Sequence, residues 1–276
     1  MTDVLYTWRT TLCLVLAATC SGQIVPCGRI QDETPPFGRR IVGGTEAKQG
    51  EFPWQVGLRS FGPTFCSGVL IAKDWVLTAG RCFDGHYDPT SWIVVLGDYD
   101  RGRLEGTEMR VHVRNIVIHG GFTIDPYSND VALVQLVSHD IDYPFVCLPG
   151  SNTDLLGSNC VITGWGATHK GDDLAYKLQK LSVNVVNTSR CLLPSNTHSA
   201  DYLCAISDVQ GGGGPCTGDA GSALQCRLGS VWAAAGIVLS TEACGNTTEL
   251  YTSIQSYLPW IQKTMILLKD AGTIQH

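Results

Sequence analysis

Twelve cysteines carry the most versatile chemistry in this 276-residue chain, and their spacing narrows what that chemistry is. Zinc sites draw on Cys-x-x-Cys pairs or close Cys/His clusters, and the sequence has neither. Cys13 and Cys20 fall in a leader with the marks of a secretory signal. Arg9 supplies a positive charge, Thr11 to Ala18 form a short apolar run, and Cys20, Ser21 and Gly22 are small enough for a cleavage site. The same run would suit an uncleaved anchor or a buried helix, but it is too short to span a bilayer. Residues 1–22 are therefore read as a signal peptide and the protein as secreted. Its removal leaves ten cysteines, an even number, which favours a disulfide framework over a metal site. Asn187 and Asn246 begin acceptor sequences for N-linked sugar. No metal ion or cofactor is expected.

The elements that must position these groups are mostly short strands. Apolar residues make up 44% of the chain and charged residues 16%, enough apolar surface for a core and too little charge for general disorder. By length the chain holds one β domain or two small ones. Residues 23–40, rich in Pro and Gly, read as a loose leader. From Ile41 onward, β-branched runs begin at Trp54, Trp75, Trp92, Met109, Val131, Cys160, Leu181 and Ala233, separated by turn residues. Such spacing predicts an all-β fold, a sandwich or barrels. Ser256 to Leu268 has apolar residues at helical spacing and predicts a C-terminal amphipathic helix. No later segment reaches the roughly 18 consecutive apolar residues of a membrane span. The net charge of −6 argues against nucleic acid and sulfated polysaccharides as main partners.

Several short motifs stand in one order. They are Arg40 before Ile41-Val42-Gly43-Gly44, Pro53-Trp54-Gln55-Val56, Val76-Leu77-Thr78-Ala79, Asn129-Asp130-Val131-Ala132-Leu133, Thr163-Gly164-Trp165-Gly166 and Gly218-Asp219. With them the chain resembles the trypsin/chymotrypsin family of serine proteases from Cys27 to the C-terminal helix. The resemblance implies two antiparallel six-stranded β-barrels, roughly 41–150 and 151–255, within a homology domain of 41–276. It also implies five disulfides: Cys27–Cys147, Cys66–Cys82, Cys160–Cys226, Cys191–Cys204 and Cys216–Cys244. The first would keep the leader attached after cleavage at Arg40.

Peptide hydrolysis in that family needs His, Asp and Ser in chain order. Where the family has Thr-Ala-Ala-His-Cys, this chain has Thr78-Ala79-Gly80-Arg81-Cys82. Where it has Gly-Asp-Ser-Gly-Gly-Pro, this chain has Gly218-Asp219-Ala220-Gly221-Ser222-Ala223. The triad positions are thus Arg81, Asp130 and Ala220. A guanidinium keeps its proton and a methyl group has no lone pair. Losing the triad in a well-studied serine protease costs about 10⁶-fold in turnover. The expectation at this point is that the chain is not an enzyme, and Ser222, Thr217 and His86 are read as ordinary residues rather than substitutes.

Other positions carry further expectations. Gly218 and Ala220 supply backbone N–H groups where the family builds an oxyanion hole. Arg40, Ile41 and Asp219 match the family's activation switch, in which cleavage frees an amine that pairs with the buried Asp. Gly214, Leu239, Ser240, Thr241 and Glu249 map to the former substrate pocket, with Glu249 either recognising a basic side chain or filling the space. Arg81 and Asp130 are placed to pair. The reading is a secreted, inactive protease homologue that binds an extracellular protein as cofactor, decoy or ligand and is cut by a trypsin-like protease. Its alternatives are an active or conditionally active serine endopeptidase and an abundant secreted protein with no specific partner.

Overall fold

The computed structural model describes residues 27–30, 44–60, 65–124, 127–137, 141–169, 171–194, 197–207, 213–239, 244 and 248–273. The signal peptide, Arg40, Ile41, Ser240, Thr241 and Asn246 lie outside these residues.

Strand-forming runs whose alternate side chains are apolar curl into two closed barrels. The first contains β1 (Gln55–Ser60), β2 (Phe65–Ala72), β3 (Trp75–Thr78), β4 (Trp92–Leu96), β5 (Met109–Ile118) and β6 (Ala132–Leu136). They close in the order β1-β2-β3-β6-β5-β4. The second contains β7 (Asn159–Gly164), β8 (Gln179–Val186), β9 (Tyr202–Ser207), β10 (Ala223–Leu228), β11 (Val231–Val238) and β12 (Thr248–Ser253). Its order is β8-β7-β10-β11-β12-β9, closed by β9 against β8, with the short strand Thr45–Glu46 added on β8. The pairings within both barrels are antiparallel. The two-barrel expectation is met.

Closure pairs each of the twelve barrel strands on both sides and places alternate side chains in each core. In the first barrel Leu58, Val94 and Val111 oppose one another and are buried. The expected helix runs longer than its apolar pattern, Ile254–Thr273, and seats Ile254, Tyr257, Leu258 and Ile261 on the body. No helix among the described residues is long and apolar enough to cross a membrane. All five expected disulfides are formed.

A buried polar relay ties the barrels together. Trp54 Nε1 donates to Gln225 Oε1 at 2.5 Å, Gln225 Nε2 to Thr163 Oγ1 at 2.7 Å, and Thr163 Oγ1 to Gln55 Oε1 at 2.7 Å. Buried polar side chains are tolerated when hydrogen-bonded in this way. The relay fixes β1 of one barrel against β7 and β10 of the other.

Candidate active site

Three sequence-distant residues converge because strand pairing brings their elements to one place. β3 pairs with β6, with Thr78 opposite Ala132. Arg81, on the 3-10 turn Gly80–Phe83 after β3, and Asp130, just before β6, therefore emerge at the same end. Asn129 holds the turn before Asp130 in a left-handed conformation, φ 50°, which Asn tolerates better than most residues. Its amide donates to Gly121 O at 2.9 Å, and Tyr257 Oη donates to its Oδ1 at 3.2 Å.

Ala220 comes from the second barrel. Ser67 N on β2 donates to Ala220 O at 2.9 Å, across the barrel junction. The Cys66–Cys82 disulfide links β2 to the turn that bears Arg81. Gly221 must be glycine: its φ is +83°, and a Cβ there would lie 2.2 Å from both Ser67 O and Thr78 Oγ1. Thr252 Oγ1 of β12 donates to Asp130 O at 3.2 Å, a further bond between the barrels.

Asp130 is fully buried. Its Oδ1 accepts from Arg81 N at 2.8 Å and its Oδ2 from Arg81 Nε at 2.5 Å. Burial pushes its carboxyl up from the ordinary range, and the charge and N–H groups of Arg81 oppose the rise. The guanidinium carbon stacks 4.0 Å from the Tyr127 ring centroid, a cation–π contact. Arg81 Nη2 is buried without a hydrogen-bond partner among the described residues. Arg81 thus folds back on Asp130 through Nε, with only 15% of its side chain exposed. Tyr127 was not singled out in the sequence; its position three residues before Asp130 gives no sign that its ring covers Arg81.

A second buried carboxylate sits behind Ala220. Asp219 accepts from Gly166 N at 2.8 Å and from Cys216 N at 3.0 Å. Burial pushes its pKa up to about 6, and these two N–H groups limit the rise. Gly166 is required by this approach, since a Cβ would lie 2.3 Å from Asp219 Oδ2. The activation partner proposed for Asp219 lies outside the described residues.

The former pocket is partly described. Gly214, Leu239 and Glu249 are all buried. Glu249, opposite Ala205 in the β9–β12 pair, fills the space beside Gly214. Tyr251, two residues on, is buried with its pKa pushed well up by burial and by the charges of Glu249 and Asp219. Of the possible substitutes, Ser222 is fully buried, whereas Thr217 and His86 are exposed. Asn187 is exposed and accepts from Ser189 N at 2.9 Å.

The family model described as Trypsin matches residues 41–261. Relatives include mouse Transmembrane protease serine 7, 33% identical over 243 residues, covering 82% of this chain and 28% of the relative. Its human counterpart is 32% identical over 240 residues, covering 81% and 28%. Rat Transmembrane protease serine 9 is 38% identical over 229 residues, covering 80% and 21%. The chain spans less than a third of the length of these relatives. These matches correct the expectation that the chain is not an enzyme. The relatives are named serine proteases, and the match rests on a scaffold of more than two hundred residues rather than on two side chains. At the level of the family, this is a serine protease domain.

Proposed function

This chain belongs to the trypsin family, and from that premise we propose that it acts outside the cell by binding a protein partner, with cleavage between Arg40 and Ile41 as its switch. One observation carries the reading: Arg81 occupies Asp130 through both its backbone and its side chain, and the nucleophile position holds Ala220. An imidazole in that place would carry a removable proton and a free lone pair; a guanidinium holds its proton at any physiological pH. Hydrogen bonding and burial fix Arg81 as a structural counter-ion. In this reading the groove that the family has between its barrels serves as a surface for a polypeptide.

The switch has a physical basis in Asp219. An amine freed at Ile41 and seated on this buried carboxylate would supply a full positive charge where two backbone N–H groups now serve. Such a gain of charge pairing can reorder the loops around the site. The five disulfides suit an oxidising, extracellular setting, and under this reading the exposed Asn187 carries a glycan.

The second reading is a serine endopeptidase, active once cut, favoured by the names of the relatives. One experiment separates the two. Uncut protein and protein cut after Arg40 serve as baits for quantitative capture from extracellular fluid, and the same preparations are incubated with a peptide library. A partner enriched on one form without turnover supports binding with a switch. Turnover at a protease-like rate by the cut form establishes the second reading. Equal or absent enrichment on both forms contradicts the first.

A further inference from the structure

The turns that carry Ala220 and Arg81 keep three hydrogen-bond donors that nothing in the described fold uses. Two of them are backbone N–H groups. Residues 216–222 form a tight turn, pinned by Asp219 N donating to Cys216 O and Ser222 N to Asp219 O, each at 2.9 Å. Gly218 and Gly221 take φ of +96° and +83° in it. Turns with left-handed residues of this kind can gather N–H groups into an anion-binding concavity. Among the described residues, the N–H groups of Gly218 and Ala220 meet no acceptor. Both residues are half-buried, so a ligand can reach them.

The third donor is Arg81 Nη2. It is buried without a hydrogen-bond partner among the described residues, while Nε and the backbone N–H of the same residue serve Asp130. The turn bearing Arg81 packs against the turn 216–222. Cys82 Sγ lies 3.8 Å from Ala220 O, and a Cβ on Gly221 would lie 3.2 Å from Ala79 N. A guanidinium N–H left unused in a low-dielectric place favours a charged acceptor over a neutral one.

The residues present also change the charge of the place. A neutral imidazole against a carboxylate, the resting state of the family's triad, carries one negative charge, and that charge repels an anion. Arg81 against Asp130 cancels it. Ala220 carries no hydroxyl to occupy the place of an incoming oxygen. The carboxylate behind the turn, Asp219, is turned to Gly166 N and Cys216 N.

We propose that this site holds the free C-terminal carboxylate of a partner polypeptide, its two oxygens shared among Gly218 N, Ala220 N and Arg81 Nη2. The inference rests on the binding role proposed above and names the part of the partner that is bound. A polypeptide running through the site presents one carbonyl oxygen and then an amide N–H. One that ends there presents two oxygens and a full charge, which matches three donors and a guanidinium. A polyanion is disfavoured by the net charge of −6 on the whole chain.

The test uses the full chain, uncut and cut after Arg40, and a library of short fluorescein-labelled peptides of varied C-terminal sequence, each made as the free acid and as the C-terminal amide. In at least one form of the chain, the acids that bind should do so at least about tenfold tighter than their amides. Arg81→His leaves Asp130 a partner but removes the fixed charge. Read at about pH 8, where an imidazole is mostly neutral, and with its melting temperature checked, this variant should lose the preference for the acid. The acid–amide comparison in the unaltered chain needs no variant. Equal binding of acids and amides, or binding of neither, by a chain that turns over no peptide overturns the inference and leaves the binding role standing. A preference for the acid that survives in folded Arg81→His overturns it too, because the charge is then met elsewhere. Amides with an internal Asp or Glu that bind as tightly as the free acids overturn it in favour of an acidic side chain. Turnover of the library at a protease-like rate contradicts the binding role itself, and the inference with it.

Discussion

Asp130 and Asp219 are both buried carboxylates, one at a triad position and one next to Ala220 in sequence, and the fold treats them in opposite ways. Asp130 receives a whole guanidinium, a backbone N–H and an aromatic lid on its partner. Asp219 receives two backbone N–H groups and is pushed up to about 6. The first charge is settled within the fold; the second titrates near neutrality and is open to a new counter-ion. A buried charge fixed by an in-chain partner acts as structure, and one held only by dipoles is suited to a switch.

The comparison can be broken at its strongest point first. Arg81→Ala would leave Asp130 buried without its cation and should cost about 3–5 kcal/mol in denaturant unfolding. Adding Asp130→Asn in that background should recover part of the loss. An unchanged midpoint in the single variant would mean that the pair holds nothing.

Asp219 gives a pH-dependent effect of the opposite kind. Its folded pKa of about 6 lies above its ordinary value of 3.8, so the native state holds the proton more tightly than the unfolded chain. The stability it contributes is full below about pH 4 and is lost as pH rises through about 6, in total about 3 kcal/mol. Asp219→Asn should flatten this part of the stability–pH curve. Cleavage after Arg40 should flatten it too, because an amine on Asp219 would pull the pKa down. A slope that survives cleavage contradicts the proposed switch.

The smallest effect concerns the lid. Tyr127→Leu keeps apolar cover over Arg81 but removes the ring's negative face, and should cost about 0.5–1 kcal/mol in the same unfolding assay.

Much of this was legible in the sequence, through two different signals. Periodicity alone marks Met109–Ile118 and Trp75–Thr78 with the bounds they have in the fold. It does not mark Ala223–Leu228, where Gln225 is buried for the barrel relay and Cys226 opposes Cys160, so that no apolar-polar alternation survives. The disulfides and the positions of Arg81, Asp130 and Ala220 came from motif order, not from spacing. Their geometry did not: nothing in the sequence says that Arg81 folds back through Nε or that Tyr127 covers it. Nor does it show that Arg59 and Arg110, some fifty residues apart, share a barrel face, because that depends on register across three strands.

The most direct measurement compares peptide turnover by the chain cut after Arg40 with that of its Arg81→His, Ala220→Ser double variant, on the same library and with both confirmed folded. If the scaffold is intact and the cleft serves for binding, the double variant should turn over substrate at least about 10³-fold faster than the unaltered chain. Equal, protease-like turnover by the two would contradict the proposed binding role in favour of the serine endopeptidase reading, with proton acceptor and nucleophile coming from elsewhere in the chain.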